Sequence, residues 1–327
     1  MKEMRDEIIK NETEEKPHAV MNEDAVTEEK PHTVINEDDV TEEEFLAAYR
    51  PGDYEKPSVA VDMAIFSAAD KKEENYRKLP EKELRLLMIR RGGHPFKGHW
   101  ALPGGFVEPD ENTESAAARE LMEETGVDNI YLEQLYTFSD PHRDPRTWVM
   151  SCSYLALVDS SKINVEAGDD AERASWFSVR LDIESRQIRE YDGGFEKTVD
   201  LRLELKNGDT SIGALVRHTI VRLDCGTKEK YEILENDGIA FDHAKIITYA
   251  ILRLRGKVQY TDIALNLVPE YFTLTQLQQI YEIILGKPLI KAAFRRKYGI
   301  LAEPTEMQTS DAGHRPSQLF RRKWLTE

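Results

Sequence analysis

The segment that constrains this 327-residue chain most is GGFVEPDENTESAAARELMEETGV, residues 104–127. Its second half has the residue types and spacing of an amphipathic helix, which we predict from about residue 114 to residue 125. Asn112 or Thr113 can accept hydrogen bonds from the first N–H groups of that helix, and Gly126 can end it in a left-handed conformation. The sequence therefore predicts a loop, a helix and a second loop.

Three glutamates crowd one face of the predicted helix. At about 100° per residue, Glu123 and Glu124 lie roughly 60° and 40° to either side of Glu120. Like charges at this spacing repel one another. A solvated helix face is one explanation. A bound hard cation is the other, because Mg²⁺ takes carboxylate oxygens, water and substrate phosphates as ligands.

The spacing of the whole segment favours the cation. The order is Gly105, five residues, Glu111, seven residues, Arg119-Glu120-Leu121, one residue, Glu123-Glu124, one residue, Gly126-Val127. This order resembles the Nudix box, Gly-x5-Glu-x7-Arg-Glu-U-x-Glu-Glu-x-Gly-U with U aliphatic, and every position matches. A match at so many positions, in a strand-loop-helix context, is a strong signal.

The resemblance implies an α/β fold, the Nudix α/β/α sandwich, and hydrolysis of a nucleoside diphosphate linked to another group. It implies a catalytic set of Glu111, Arg119, Glu120, Glu123 and Glu124. In this set the ligands of Mg²⁺ or Mn²⁺ are Glu120, Glu123 and Glu124, while Gly105 lies at the substrate. The resemblance leaves the general base open, and the candidates are Glu123, Glu166, Asp169 and Asp170.

The remaining sequence alternates between strand and helix patterns. Strands are predicted at residues 57–66, 84–91, 130–138 and 148–158, and a hairpin or small meander at 197–234. After residue 237 the pattern becomes helical, and a polar stretch near the end predicts a two-stranded wing. We therefore expect a Nudix domain at residues 45–236, with a β insertion near 197–235, and a second domain at residues 237–327.

Residues 1–44 differ from the rest of the chain. TEEKPHAVMNEDAV is followed directly by TEEKPHTVINEDDV, and a third copy begins at Thr41. This segment holds 5 Lys and Arg against 16 Asp and Glu. A segment with so much acid and so few aromatics cannot bury enough surface to offset its chain entropy. We expect a disordered acidic tail.

Charge and hydropathy limit the partners. The net charge is −17, yet residues 240–327 hold 13 basic against 8 acidic side chains, so the C-terminal end is basic. We find no apolar run that could span a bilayer and no apolar stretch of a signal peptide, and we expect a cytoplasmic protein without a membrane partner.

Cys152 and Cys225 are far apart and predict neither a zinc site nor a disulfide.

The segment SDPHRDPRTW, residues 139–148, narrows the ligand. It is similar to the segment that follows the box in Nudix proteins that handle ADP-ribose. By that resemblance Arg143 and Arg146 bind phosphate or ribose through charge-assisted hydrogen bonds. The alternative is a turn fixed by its own Arg–Asp ion pairs.

The C-terminal segment carries a second resemblance. FDHAKIITYAILRLRGKVQYTDIALNLVPEYFTLTQLQQIYEIILGKPLIKAAFRRKYGI, followed by GHRPSQLFRRKW, resembles the winged helix-turn-helix domain of the NrtR-type transcriptional regulators. The resemblance implies a homodimer that binds double-stranded DNA. The predicted DNA contacts are Lys291, Arg295, Arg296, Lys297 and Arg315. The alternative is a basic helix that serves dimerisation or solubility.

Two functions are implied by these resemblances. The first is a metal-dependent hydrolase that cleaves the pyrophosphate of ADP-ribose or a related nucleoside diphosphate derivative. The second is an NrtR-type regulator whose Nudix domain senses such a ligand. Many regulators of this type carry eroded boxes, whereas this box is complete. The sequence therefore favours the hydrolase and keeps the regulator as the alternative.

Overall fold

The computed structural model describes residues 41–71, 80–126, 130–159, 174–223, 226–309 and 316–324. The chain divides into two compact units, Met1–Glu55 and Lys56–Glu327. In the first unit, helix α1 (Glu42–Ala48) begins with a capping box, in which Thr41 and Glu44 exchange hydrogen bonds. The last residues of the predicted tail therefore lie in a helix. The rest of that tail, residues 1–40, lies outside the described residues.

The second unit is built on one mixed β-sheet. Its main strands are β1 (Ser58–Asp70), β2 (Lys82–Arg90), β5 (Tyr131–Phe138), β6 (Val149–Asp159), β7 (Ala174–Tyr191), β8 (Gly194–Asn207), β9 (Thr210–Leu223) and β10 (Gly226–Asp237). They lie in the order β10-β9-β8-β7-β2-β1-β6-β5. Two short strands, β3 (Trp100–Ala101) and β4 (Gly104–Phe106), pair with β2 and β1. β1 and β6 are parallel to each other. The pairs β1–β2, β2–β7 and β5–β6 are antiparallel.

Two helices cover opposite faces of this sheet. One set of alternate β1 residues packs with helix α2 (Thr113–Thr125): Val61, Met63 and Ile65. The other set lies in the cluster that contains helix α3 (His243–Lys257): Ala64, Phe66 and Ala68. Successive side chains of a strand point to opposite faces, so α2 and α3 are the outer layers of an α/β/α sandwich. α3 follows the predicted division at residue 237 and still belongs to the sandwich.

The predicted β insertion continues the central sheet. β7 pairs with β2 through its first residues, as in Leu86 opposite Phe177, and with β8 along the rest of its length, as in Leu181 opposite Leu203. β8, β9 and β10 continue as an antiparallel meander. Phe177, Leu181 and Leu203 are fully buried. The meander therefore extends the sheet that α3 covers, rather than forming a separate appendage.

The C-terminal segment forms the predicted helices and wing. Its elements are a short 3-10 helix (Ile263–Leu267), α4 (Leu274–Leu285), α5 (Lys291–Tyr298), β11 (Ala302–Gln308) and β12 (Gln318–Arg322). Phe294 and Tyr298 of α5 pack on Tyr281 of α4, with ring centroids 5.3 and 4.1 Å apart. β11 and β12 pair antiparallel as the predicted wing. Within the described ranges, no helix is long and apolar enough to cross a membrane.

Arg255 of α3 ties the sheet to the C-terminal helices. Its Nη2 donates to the carbonyl oxygen of Leu181 in β7 at 2.8 Å, and its Nε donates to that of Ile284 in α4 at 3.0 Å. Burial lowers the pKa of Arg255, but a guanidinium stays charged at any ordinary pH. One half-buried charge therefore satisfies two backbone carbonyls from different elements.

We expect Arg255→Met to lower the free energy of unfolding by about 2 kcal/mol, because two charge-assisted hydrogen bonds are lost while the apolar stem is kept. Arg253→Met is the matched control on the same helix, where the guanidinium donates to the Tyr249 hydroxyl and, among the described residues, to no backbone carbonyl. It should cost less than about 1 kcal/mol. Urea unfolding measures both values, and equal losses would show that Arg255 is not a tie between elements.

Candidate active site

The loop-helix-loop folds as its sequence predicts. β4 pairs with β1, and this places Gly104 and Gly105 opposite Asp62 and Val61. Asn112 is the N-cap of α2, and its side chain accepts from the N–H of Ser115 at 2.8 Å. Gly126 ends the helix with φ of 66°. The buried face of α2 carries Ala116, Ala117, Leu121 and Thr125, which leaves the glutamate-bearing face turned away from the sheet.

Arg119 braces the acidic residues of this segment. Its guanidinium binds both carboxylate oxygens of Glu111, at 2.8 and 3.2 Å, and donates to Oε1 of Glu120 at 2.8 Å. A third carboxylate approaches through Oε1 of Glu123, which lies 3.6 Å away. The hydrogen bonds from Arg119 hold the pKa of Glu111 below its usual range. One positive charge thus offsets part of the repulsion among the acidic side chains.

Glu120 is more enclosed than its neighbour Glu123 on the helix face. Its side chain is 12% exposed, against 60% for Glu123. It lies against Gly105, where a Cβ atom would stand 2.0 Å from Oε1 of Glu120. A side chain at position 105 would therefore displace the carboxylate of Glu120. The neighbouring Gly104 is required by the backbone, since its φ is +154° and a Cβ would stand 2.1 Å from the carbonyl oxygen of Val61.

The donors of this site are those that a divalent metal prefers. Glu120, Glu123 and Glu124 supply carboxylate oxygens, the ligand type of Mg²⁺ and Mn²⁺. In the arrangement observed, Arg119 engages Glu120, and the described part of the chain contains no group of three His, Cys, Asp or Glu side chains gathered around one metal position. The donor chemistry fits a metal, and binding requires these carboxylates to converge.

Arg143 lies in a buried ion cluster and not on the surface. Its side chain is 5% exposed and donates to Asp242 at 2.7 and 3.1 Å and to Asp62 at 3.2 Å. Burial opposes its charge, but Asp242 and Asp62 outweigh burial and raise the pKa of Arg143. Since its donors are directed at these two carboxylates, its observed role is to join β1 to the start of α3. The predicted contact with substrate would need this cluster to open.

His243 completes that cluster. Its Nδ1 accepts from the N–H of Leu102 at 2.8 Å, and its Nε2 lies 3.4 Å from Asp62. Because Nδ1 accepts this hydrogen bond it carries no proton, and the ring proton lies on Nε2 toward Asp62. Burial lowers the pKa of His243. The sequence analysis did not single out Asp62, Asp242 or His243. An acid within the apolar run VAVDMAIF was the available signal for Asp62.

The observed position of Arg146 is compatible with both predictions for it, an ion pair within its own turn and a contact with the ligand. It forms a two-pronged ion pair with Asp144, at 2.7 and 3.0 Å, which is the predicted turn fixed by its own charges. Its side chain remains 44% exposed. Its guanidinium carbon also lies 5.6 Å from the ring centre of Phe106, directly after Gly105. Arg146 is therefore next to the glycine loop and accessible to a ligand.

The basic residues of α5 lie on its exposed face. Lys291, Arg295, Arg296 and Lys297 are exposed, whereas Phe294 and Tyr298 are buried against α4. The helix thus presents positive charge to solvent and anchors itself with two aromatic rings. Arg315, predicted to contact DNA from the wing, lies outside the described residues, as do the general-base candidates Glu166, Asp169 and Asp170.

Comparison with known proteins matches both halves of the chain. A family model for the NUDIX domain matches residues 78–189, and one for the NrtR DNA-binding winged helix domain matches residues 264–322. Over 282 residues the chain is 35% identical to the ADPR responsive transcriptional repressor NtrR of Acinetobacter baylyi, and the match covers 85% of this chain and 86% of that protein.

Two further proteins are similar to the Nudix part or to the whole chain. The ADP-ribose pyrophosphatase of Methanocaldococcus jannaschii is 40% identical over 126 residues, which covers 38% of this chain and 64% of that protein. The crystal structure of a MutT/nudix family protein from Enterococcus faecalis superposes with a TM-score of 0.61 at 29% identity. The superposition covers 88% of this chain and 96% of that one.

The two glycines of β4 give a matched pair of variants. We expect Gly105→Ala to fold normally and to bind Mn²⁺ at least about tenfold more weakly, because the new Cβ displaces only the end of the Glu120 side chain. Gly104→Ala should instead lower the melting temperature, since its Cβ meets backbone. Thermal melting and Mn²⁺ titration separate the two. A normal Mn²⁺ affinity in folded Gly105→Ala would contradict a metal role for Glu120.

Proposed function

The chain belongs to the NrtR-type Nudix family, in which a Nudix domain precedes a winged helix, and on this basis we propose that it hydrolyses the pyrophosphate of ADP-ribose or a related nucleoside diphosphate derivative. The observation that carries the proposal is the complete box, in which Arg119 binds Glu111 and Glu120 and leaves Glu123 largely exposed. A site that only senses a ligand does not need this set of carboxylates.

Each residue of the box has a distinct part in the proposed reaction. Glu120, Glu123 and Glu124 would hold Mg²⁺ or Mn²⁺, and the bound metal would neutralise pyrophosphate charge and lower the pKa of a water molecule. Glu111 and Arg119 position Glu120 through the ion pairs described above. Gly105 gives Glu120 its space, and Arg146 offers a guanidinium to a phosphate or ribose oxygen. The general base is one of Glu123, Glu166, Asp169 and Asp170.

Two relatives support ADP-ribose as the ligand. The repressor that matches most of the chain is described as ADPR responsive, and the archaeal enzyme that matches the Nudix part is described as an ADP-ribose pyrophosphatase. The two proteins use this ligand differently, since the first responds to ADP-ribose as a repressor and the second hydrolyses it. ADP-ribose is therefore the expected ligand of both a regulator and a hydrolase, and a measurement of turnover distinguishes the two functions.

We expect the wild-type chain to release AMP from ADP-ribose with Mg²⁺, and Glu124→Gln to lower kcat at least about a hundredfold, because a metal-binding carboxylate is neutralised. Glu114→Gln is the matched control, since Glu114 is an acid in the first turn of the same helix. It should retain wild-type rates. If the wild-type chain turns over no member of a panel of nucleoside diphosphate derivatives, hydrolysis is excluded.

DNA binding is the second proposed function, and the exposed basic face of α5 favours it. We propose that the chain is also a regulator that binds double-stranded DNA through Lys291, Arg295, Arg296 and Lys297, together with Arg315, which lies outside the described residues. Aromatic anchoring of α5 on α4 leaves these cations in contact with solvent, as docking into a groove requires. The regulator would act as a homodimer, as its resemblance implies, and we expect it in the cytoplasm.

We expect the chain to bind its own promoter region with an affinity that falls steeply with salt, and Arg295→Ala plus Arg296→Ala to abolish the gel shift at moderate salt. Each lost phosphate contact should reduce the slope of log affinity against log salt by about 1. The control is Arg186→Ala plus Arg189→Ala, which removes two exposed arginines from β7. An equal loss of DNA binding in the control would show that the net charge of the chain, and not the position of the arginines on α5, determines binding.

A further inference from the structure

A cleft opens at the C-terminal end of α3, away from the box. It has a volume of about 280 Å³, and its walls include Glu229 of β10 and the tyrosines Tyr231, Tyr249 and Tyr260. At 1.5 Å per residue, this end of the helix is about 20 Å from His243 along the helix axis. α3 and α2 cover opposite faces of the sheet. The cleft is therefore separate from the box and from the buried ion cluster at the start of α3.

Aromatic rings form one wall of the cleft and are held in place by their neighbours. Tyr249 of α3 contacts Tyr136 of β5 at a centroid distance of 5.2 Å and Tyr231 of β10 at 5.5 Å. His218 of β9 stacks on Tyr231, with centroids 4.2 Å apart and an angle of 8° between the ring planes. Rings that are already fixed offer apolar area to a ligand with little further loss of side-chain entropy.

Arg253 places a cation beside these rings. Its guanidinium carbon lies 5.4 Å from the ring centre of Tyr249, and its Nη2 donates to the hydroxyl of that residue at 2.8 Å. The side chain is half-buried, and among the described residues no carboxylate forms an ion pair with it. A guanidinium has five N–H donors, so Arg253 keeps donors for an anion that enters the cleft.

Lys257 and Glu229 add charges of opposite sign to the cleft. Lys257 is already paired with Glu133 of β5. Glu229 hydrogen-bonds to Nε2 of His218 at 3.2 Å, and its side chain is 51% exposed. A solvated carboxylate repels an anion only weakly, because water and salt screen its charge. Arg253 is therefore the charged group that an anionic ligand would bind.

Gly256 leaves the helical side of the cleft open. It lies in the last turn of α3, and glycine is less favourable in a helix than alanine. A Cβ atom at this position would meet no atom within 4 Å, and the backbone is not left-handed there. Neither packing nor backbone geometry therefore requires this glycine. Because Tyr249, Arg253 and Gly256 follow at spacings of four and three residues, the open space lies on the same helix face as the ring and the guanidinium.

We propose that this cleft binds a small aromatic anion, whose planar ring packs against Tyr231 and Tyr249 and whose carboxylate or phosphate group accepts from Arg253. A volume of about 280 Å³ is near the lower end of the range for ligand pockets, which suits a molecule of one or two rings. A cationic ligand is disfavoured, because Arg253 and Lys257 would repel it. The site goes beyond the function proposed above and does not depend on it.

Three naphthalene probes separate the parts of the proposed site. Naphthoate carries a carboxylate on the rings, naphthyl phosphate carries a phosphate, and naphthamide keeps the rings without a charge. Ligand-detected NMR titration of the full chain, without added metal, measures all three affinities. We expect at least one of the anions to bind with a Kd of about 1 mM or tighter, and naphthamide to bind at least about fivefold more weakly than that anion. The tighter anion identifies the acidic group that the site prefers.

Two variants test the open space and the cation separately. We expect Gly256→Leu to melt at the same or a higher temperature, because leucine favours the helix, and to weaken the tighter anion at least about tenfold, because its side chain fills the cleft. Arg253→Gln should weaken that anion about fivefold or more and leave naphthamide within about twofold. Thermal melting of each variant confirms that it is folded.

Lys228→Gln is the matched control for Arg253→Gln. It removes one exposed positive charge from β10, directly before Glu229. Alternation along a strand places Lys228 on the face opposite to Glu229. This variant should leave all three affinities within about twofold.

Four results would overturn the site. They are no binding of either anion to the wild-type chain, unchanged affinity in folded Gly256→Leu, equal losses in Arg253→Gln and Lys228→Gln, and displacement of the bound anion by ADP-ribose. The last result would assign the anions to the Nudix part of the chain. Because the titrations contain no metal and no DNA, none of these outcomes depends on hydrolysis or on DNA binding.

Discussion

A sheet that is apolar on both faces needs a helical layer on each side, and this requirement organises the molecule. β1 alternates between two sets of fully buried side chains, so neither face can meet water without a large loss of hydrophobic stabilisation. α2 covers one face and brings the glutamates with it. α3 covers the other and begins the C-terminal part. The winged-helix elements are therefore attached to a helix that the Nudix sandwich cannot lose.

Arginines perform two different tasks around this sandwich. Arg119, at the surface, binds Glu111 and Glu120 and reduces the repulsion of the acidic face. Arg143, almost fully buried, joins Asp62 of β1 to Asp242 at the start of α3. A buried guanidinium requires such partners, because removing one of them would leave an uncompensated charge.

The ligand site and the C-terminal part share a short stretch of backbone. Residues 238–243 hydrogen-bond to β3, pack Phe241 against Phe96 and place His243 against Leu102, just before the glycine loop. The same stretch leads directly into α3, which Arg255 connects to α4. The glycine loop and the C-terminal helices are thus connected through consecutive contacts of one backbone segment and α3.

The sequence by itself determined the elements whose signals are local. Helix spacing, the cap at Asn112, the glycine at position 126 and the box residues are all read within one segment, and the structure places them as predicted. The helices of the C-terminal part and the pairing of its wing arise from similarly local patterns. The box also fixed the family, because its residue types must occur at set intervals along one loop and helix.

Only the tertiary structure decided which distant residues meet. Asp62, Arg143, Asp242 and His243 come from separate segments, and no spacing rule joins them. The sequence suggested Arg143 and Arg146 for substrate, whereas packing buries the Arg143 side chain and leaves that of Arg146 accessible. It also suggested a division at residue 237, whereas α3 packs on the sheet. Burial and long-range ion pairing depend on how the sheet and its two helical layers pack together. The spacing of residues along the sequence does not specify that packing for each residue.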